Sequence, residues 1–95
     1  MTDPKRALAD VPQPHMAFWF TNGTIAKNIY ELVSSIESCD PGVFTYHVNT
    51  EKNDIYNWIL DVLGDDVLAK RLKKEKDQKK YAKKIRRRIR ELEKT

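Results

Sequence analysis

Between Asp77 and Lys94 the only large apolar residues are Tyr81, Ile85, Ile89 and Leu92, spaced four, four and three positions apart. That spacing returns once per helical turn, so the segment can cover an apolar side only as an α-helix with one narrow stripe. Almost every other position is charged. On a helical projection Lys76, Lys80, Lys83, Arg87, Arg90 and Lys94 share one side, with Lys79 and Arg86 beside them. A helix over 77–94 is roughly 27 Å long at ~1.5 Å per residue. Like charges at i,i+4 each cost a few tenths of a kcal/mol, so this helix is strained until an anion or an acidic surface neutralises it.

The net charge of +4 conceals a division of the chain. Residues 1–69 carry four bases and ten acids, a net of −6, whereas residues 70–95 carry fourteen bases and four acids, a net of +10. A split of that size concerns partners more than fold. At 95 residues the chain has room for one domain with one modest core. No apolar run approaches the ~20 residues of a membrane span, and Met1–Asp10 mixes acids and bases without a signal-like stretch. The lone Cys39 has no disulfide partner in the chain. The expectation is a soluble cytoplasmic protein, associated with the nucleoid if it binds DNA.

Residues 1–14 contain Pro4, Pro12 and Pro14 with little apolar periodicity, and read as a mobile arm. Met16–Phe20 is a short aromatic run suited to a strand. Asn22-Gly23 favours a type I′ hairpin turn, with Thr24–Ala26 returning. Asn28 and Glu31 have capping-box spacing at the start of a helix whose apolar face is Ile29, Leu32, Val33 and Ile36. Val43–Val48 suits a strand by its β-branched and aromatic content and a helix by its Asp40-Pro41 start; helix is the reading adopted. Asn53 or Thr50 caps a further helix with Ile55, Trp58, Ile59, Val62 and Leu63 on one side. Gly64 ends it, and Asp65 caps a short helix that points Val67, Leu68 and Leu72 inward.

The expected fold class is therefore α+β and mostly α. It has a short N-terminal β-hairpin, three to four short helices and a long basic C-terminal helix. The expected division is 1–14 as the arm, 15–73 as a small globular domain, and 74–95 as the basic amphipathic helix.

A basic helix of this kind points to a polyanion. Neutralising several phosphates releases counterions, which gives salt-sensitive affinity without sequence preference. Lys76, Lys79, Lys80, Lys83, Arg86, Arg87, Arg90 and Lys94 are the expected phosphate contacts. No helix-turn-helix, zinc-finger or ribonucleoprotein pattern supports base-specific readout. Phe18, Trp19, Phe20 and Tyr46 are candidates for base stacking, although core packing is the commoner fate of such residues. The rival reading is a protein-interaction or self-assembly module, dimerising through Tyr81, Ile85, Ile89 and Leu92. A membrane-surface helix fits poorly, because the apolar side lacks Trp, Phe or a broad Leu stripe.

Catalytic patterns are missing: no G-x-S-x-G, H-E-x-x-H, phosphate loop or dinucleotide fingerprint occurs. His15, His47 and Cys39 fall short of a zinc set. The expectation is no enzyme, no metal and no cofactor. One polar cluster remains, His47, Asn49, Asn53 and Asp54, flanked by Tyr46 and Trp58. A His47–Asp54 contact could form half of an acid–base site. The favoured role is structural, with Asn53 as a cap and His47 as a tether between helices.

The stretches F-W-F-T-N-G-T (18–24), N-I-Y-E-L (28–32), V-F-T-Y-H-V (43–48), N-D-I-Y-N-W-I (53–59) and V-L-G-D-D-V-L-A (62–69) resemble a family of small uncharacterised archaeal and bacterial domains. The resemblance spans about residues 17–72, and N-D-x-x-x-W-I…G-D is its most distinctive part. It implies a fold and no established activity, so it transfers no catalytic residues. The basic tail lies largely outside it. A compact chromatin-type protein is one expectation for such a domain with such a tail.

Overall fold

The computed structural model describes residues 2–95 and is mostly helical. In chain order the elements are α1 (Pro4–Leu8), a 3₁₀ turn (Pro14–Met16), β1 (Phe18–Trp19), β2 (Ile25–Ala26), α2 (Ile29–Ser38), α3 (Pro41–His47), α4 (Asp54–Trp58) running on into a π-helical turn (Ile59–Leu63), α5 (Asp66–Leu72) and α6 (Gln78–Glu93). The two strands pair antiparallel, Phe18 with Ala26 and Trp19 with Ile25.

Local sequence accounts for most of these boundaries. The Asn28 side chain accepts the Glu31 N–H at 2.8 Å, and the Glu31 carboxylate reaches back to the Lys27 N–H at 3.0 Å. Both ends of the capping box are thus satisfied. Pro41 opens α3, so the ambiguous segment Val43–Val48 is helical as far as His47. Asn53 caps α4 through the Tyr56 N–H, and Asp65 caps α5 through the Leu68 N–H. Gly64 adopts φ +70° and closes the π turn. A Cβ there would lie 2.7 Å from the Arg6 guanidinium, which itself donates to the Val62 carbonyl at 3.1 Å.

Four expectations are corrected. The hairpin turn is not type I′, because Gly23 takes φ +90° and, among the described residues, no non-glycine residue has positive φ. Phe20 N–H bonds the Thr24 carbonyl, which leaves a three-residue loop, Thr21–Gly23. The Asn22 side chain is occupied in accepting the Thr24 N–H at 2.9 Å. Second, the supposed mobile arm carries α1, whose Ala7 is buried and which packs on α6, α2 and the π turn; Met1 lies outside the described residues. Pro4 and Pro14 start helical turns instead of extending the chain. Third, Val67 is exposed, and Ala69 joins Leu68 and Leu72 on the buried side of α5.

The fourth correction matters most. Residues 74–95 are no separate unit, because α6 is a wall of the core and packs on α2, α5 and α1. Tyr81 and Ile85 are fully buried, with Ile89 and Leu92 at 5 % and 4 % exposure. The stripe offered above as a dimer surface therefore packs inside its own chain. Burying a large apolar side chain contributes about 2 kcal/mol, so the four together contribute about 8 kcal/mol. That matches the whole net stability of a small domain, about 5–15 kcal/mol. A chain ending at Asp77 is predicted to lose its cooperative thermal transition, checked by circular dichroism. Tests of the basic helix must therefore use substitutions.

Candidate nucleic-acid interface

Burial of Tyr81, Ala82, Ile85, Ile89 and Leu92 fixes the rotation of α6 and aims the opposite side at solvent. Lys79, Lys80, Lys83, Arg87, Arg90 and Lys94 are all exposed there, with Lys76 exposed just before the Asp77 cap. At ~1.5 Å per residue the sixteen-residue helix makes a cationic ridge roughly 24 Å long. Six of the eight expected phosphate contacts, Lys76, Lys79, Lys80, Lys83, Arg90 and Lys94, form no ion pair among the described residues. Arg87 has only a long 3.7 Å approach to Glu91 and is 78 % exposed.

Arg86 differs from the rest of the set. It makes a two-pronged pair with Glu37 of α2, at 3.0 and 2.7 Å. The bases on the flanks of α6 are used in the same way. Arg88 grips Asp65 through Nε and Nη2 at 2.9 and 3.2 Å, and Asp65 is nearly fully buried. Lys84 pairs with Glu75 at 2.8 Å, and Arg71 of α5 pairs with Glu91 of α6 at 3.0 Å. Glu37 and Asp65 of the acidic segment, with Glu75 and Glu91 of the basic one, thus neutralise the borders of α6 and leave its crest cationic. The Arg86 hydrogen bond holds Glu37 below its ordinary carboxylate range, Lys84 does so for Glu75, and Arg88 for Glu91.

The residues of the N-D-x-x-x-W-I…G-D stretch hold the scaffold together. The Asn53 side-chain oxygen accepts both the Tyr56 N–H and the Tyr81 hydroxyl, the latter at 2.7 Å, while its amide donates to the Leu72 carbonyl at 3.0 Å. One side chain therefore joins α4, α5 and α6. Trp58 donates its indole N–H to the Met16 carbonyl at 2.7 Å. Gln78 closes the far end of α2 by donating to the Ile36 and Cys39 carbonyls at 2.8 and 3.0 Å.

His47 contacts Asp54 as the spacing suggested, Nδ1 to Oδ2 at 3.0 Å. Its other nitrogen, Nε2, accepts the Thr21 backbone N–H at 3.1 Å. An N–H can only donate, so the ring proton sits on Nδ1 and is given to Asp54. Both nitrogens are occupied, and the ring is buried edge-on against Phe18 and Phe20. This geometry ties the hairpin loop to α3 and α4 and leaves no basic nitrogen facing a cavity. Burial pushes Asp54 upward, but hydrogen bonds from Lys52 and His47 outweigh it and hold the carboxylate below its ordinary value. Among the described residues no group of three or more His, Cys, Asp or Glu could hold a metal.

Alternation along the strand separates Phe18 and Phe20 from Trp19, while Tyr46 lies on α3. Phe18 and Phe20 are core residues, whereas Trp19 is 60 % exposed and Tyr46 is 54 % exposed. Tyr46 lies under the Lys52 ammonium, 3.9 Å from the ring centroid. Lys70, Lys73 and Lys74 were not among the expected contacts, yet all three are exposed and form no ion pair among the described residues. Their membership of the +10 segment was the available signal. No helix of the described residues is long and apolar enough to cross a membrane.

Five carboxylates, Glu37, Asp54, Asp66, Glu75 and Glu91, are held below their ordinary values. A carboxylate with a lower pKa in the folded state binds fewer protons there than when unfolded, so its contribution is present above the unfolded pKa and is lost as pH falls. The urea midpoint is predicted to hold level from about pH 5 to about pH 8 and to decline steadily below about pH 5. A midpoint rising on acidification would contradict these ion pairs.

No family model, curated protein or solved structure matches the chain.

Proposed function

We propose that this protein is a non-enzymatic, largely sequence-nonspecific nucleic-acid-binding protein of chromatin or nucleoid type, with DNA the favoured partner. The observation that carries the reading is the orientation of α6, whose apolar side is in the core and whose acid-paired bases lie at its borders. Six bases along its crest and N-terminal approach are left without a protein anion among the described residues. A rigid ridge of that kind suits a stiff duplex, which holds its phosphates at fixed spacing along the helix. The crest carries no aromatic residue and no Asn or Gln to read base edges, in keeping with backbone contact.

A protein-interaction role is the second reading, and it moves from α6 to the hairpin. Trp19 and Ile25 are cross-strand neighbours, exposed at 60 % and 44 %, and form the apolar pair that favours it.

Six neutralised phosphates correspond to a slope of about −5 in log affinity against log salt on duplex DNA. Replacing Lys79, Lys83 and Arg90 together with Gln is predicted to flatten that slope by about 3, since each phosphate contact contributes about one. Fluorescence anisotropy at several salt concentrations measures it. Absence of salt-dependent affinity in the full chain would remove the reading.

A further inference from the structure

A groove runs between α4 and α5. Its first section, about 280 Å³, lies between the Asn49–Lys52 loop and the turn leading from α5 to α6. The second, about 290 Å³, continues along the two helices, and Tyr56 and Lys73 line both sections.

The two walls differ in chemistry. Lys70, Lys73, Lys74 and Lys76 come from α5 and the turn after it, and none forms an ion pair among the described residues. The opposite wall, from α4 and the π turn, presents the half-buried Tyr56 ring, the exposed Asn57 amide and the exposed Leu60 side chain. Asn49 and Asn53 also line the first section, but their side-chain oxygens and amides are already engaged with neighbouring chain. Asn57 has no side-chain hydrogen bond among the described residues and keeps both its donor and its acceptor for a ligand. Two carboxylates touch the groove: Glu51 in the loop, and Asp66 at the far end, where Asp66 accepts the Thr2 hydroxyl.

A duplex shows phosphates on its outside and hides base faces in its stack. An unpaired strand carries phosphates along one edge and open bases along the other, the same asymmetry as the two walls. Resting on the nucleic-acid reading above, we infer that the α4–α5 groove binds a single strand. The lysine wall receives its phosphates, Tyr56 and Leu60 meet base faces, and Asn57 meets a base edge. Lys76 lines the groove and lies three residues before Lys79 of the α6 crest in the chain.

The test compares a labelled single-stranded oligonucleotide with its own duplex by anisotropy, using the full chain. The variant Lys73→Gln/Lys74→Gln changes only exposed side chains. It is expected to weaken single-strand binding about tenfold and duplex binding by less than about threefold. Tyr56→Ala removes the stacking surface and is expected to weaken single-strand binding roughly five- to hundredfold. Asn57→Ala, also exposed, provides a base-wall variant should Tyr56→Ala unfold; selective single-strand weakening is again expected. Lys83→Gln/Arg90→Gln is expected to weaken duplex binding more than single-strand binding. Groove variants that weaken both forms equally, or neither, overturn the groove while the α6 reading stands on its duplex affinity. A full chain that binds neither form overturns both.

Discussion

Docking of α6 into the core decides what every other part of this protein can do. Tyr81, Ile85, Ile89 and Leu92 contribute stabilisation on the scale of the domain's entire net stability, and their burial sets the helix rotation. Two polar contacts fix the same rotation. The Tyr81 hydroxyl enters the Asn53 hub, and Arg88 takes hold of buried Asp65. Removing one partner of a buried ion pair costs several kcal/mol, because it leaves a charge without compensation. The pair therefore specifies how α6 sits even if its net contribution to stability is small.

That constraint turns the charge division of the chain into a spatial pattern. The acids of the N-terminal two-thirds do not oppose the basic segment as a block. Glu37 and Asp65 meet bases at the borders of α6, Glu75 and Glu91 serve the same borders from within the basic segment, and the crest remains cationic. The bases of α6 are thereby partitioned. Arg86, Arg88 and Lys84 are engaged by the protein, and Lys79, Lys83, Arg90 and Lys94 face solvent.

The polar cluster around His47 shows how similar residues can suggest chemistry and serve architecture. A His–Asp pair at 3.0 Å has the separation of an acid–base couple. The Thr21 N–H on Nε2 uses the nitrogen such a couple would need, and the neighbouring Phe18 and Phe20 rings close off access. The same holds for Asn53, Trp58, Gly64 and Asp65. Each is explained by a backbone group it caps, a carbonyl it reaches or a positive φ it permits.

Local chemistry in the sequence determined the helices and their ends, because a cap, a Pro at a first turn or a Gly at positive φ acts within a few residues. The Asn28–Glu31 box, Pro41, Asn53, Gly64 and Asp65 all do what their positions imply. The alternation along Phe18–Phe20 likewise separated buried rings from an exposed one. The turn at Asn22-Gly23 departed from its sequence motif, because the Asn22 side chain found the Thr24 N–H and a three-residue loop resulted. Periodicity revealed that α6 has one apolar side, but it carries no information about what covers that side. Only tertiary structure decided that α2, α5 and α1 cover it, that α1 is packed, and that Lys70, Lys73 and Lys74 share a groove with Tyr56. The reason is that burial and ion pairing depend on contacts between residues far apart in the chain, which no local pattern encodes.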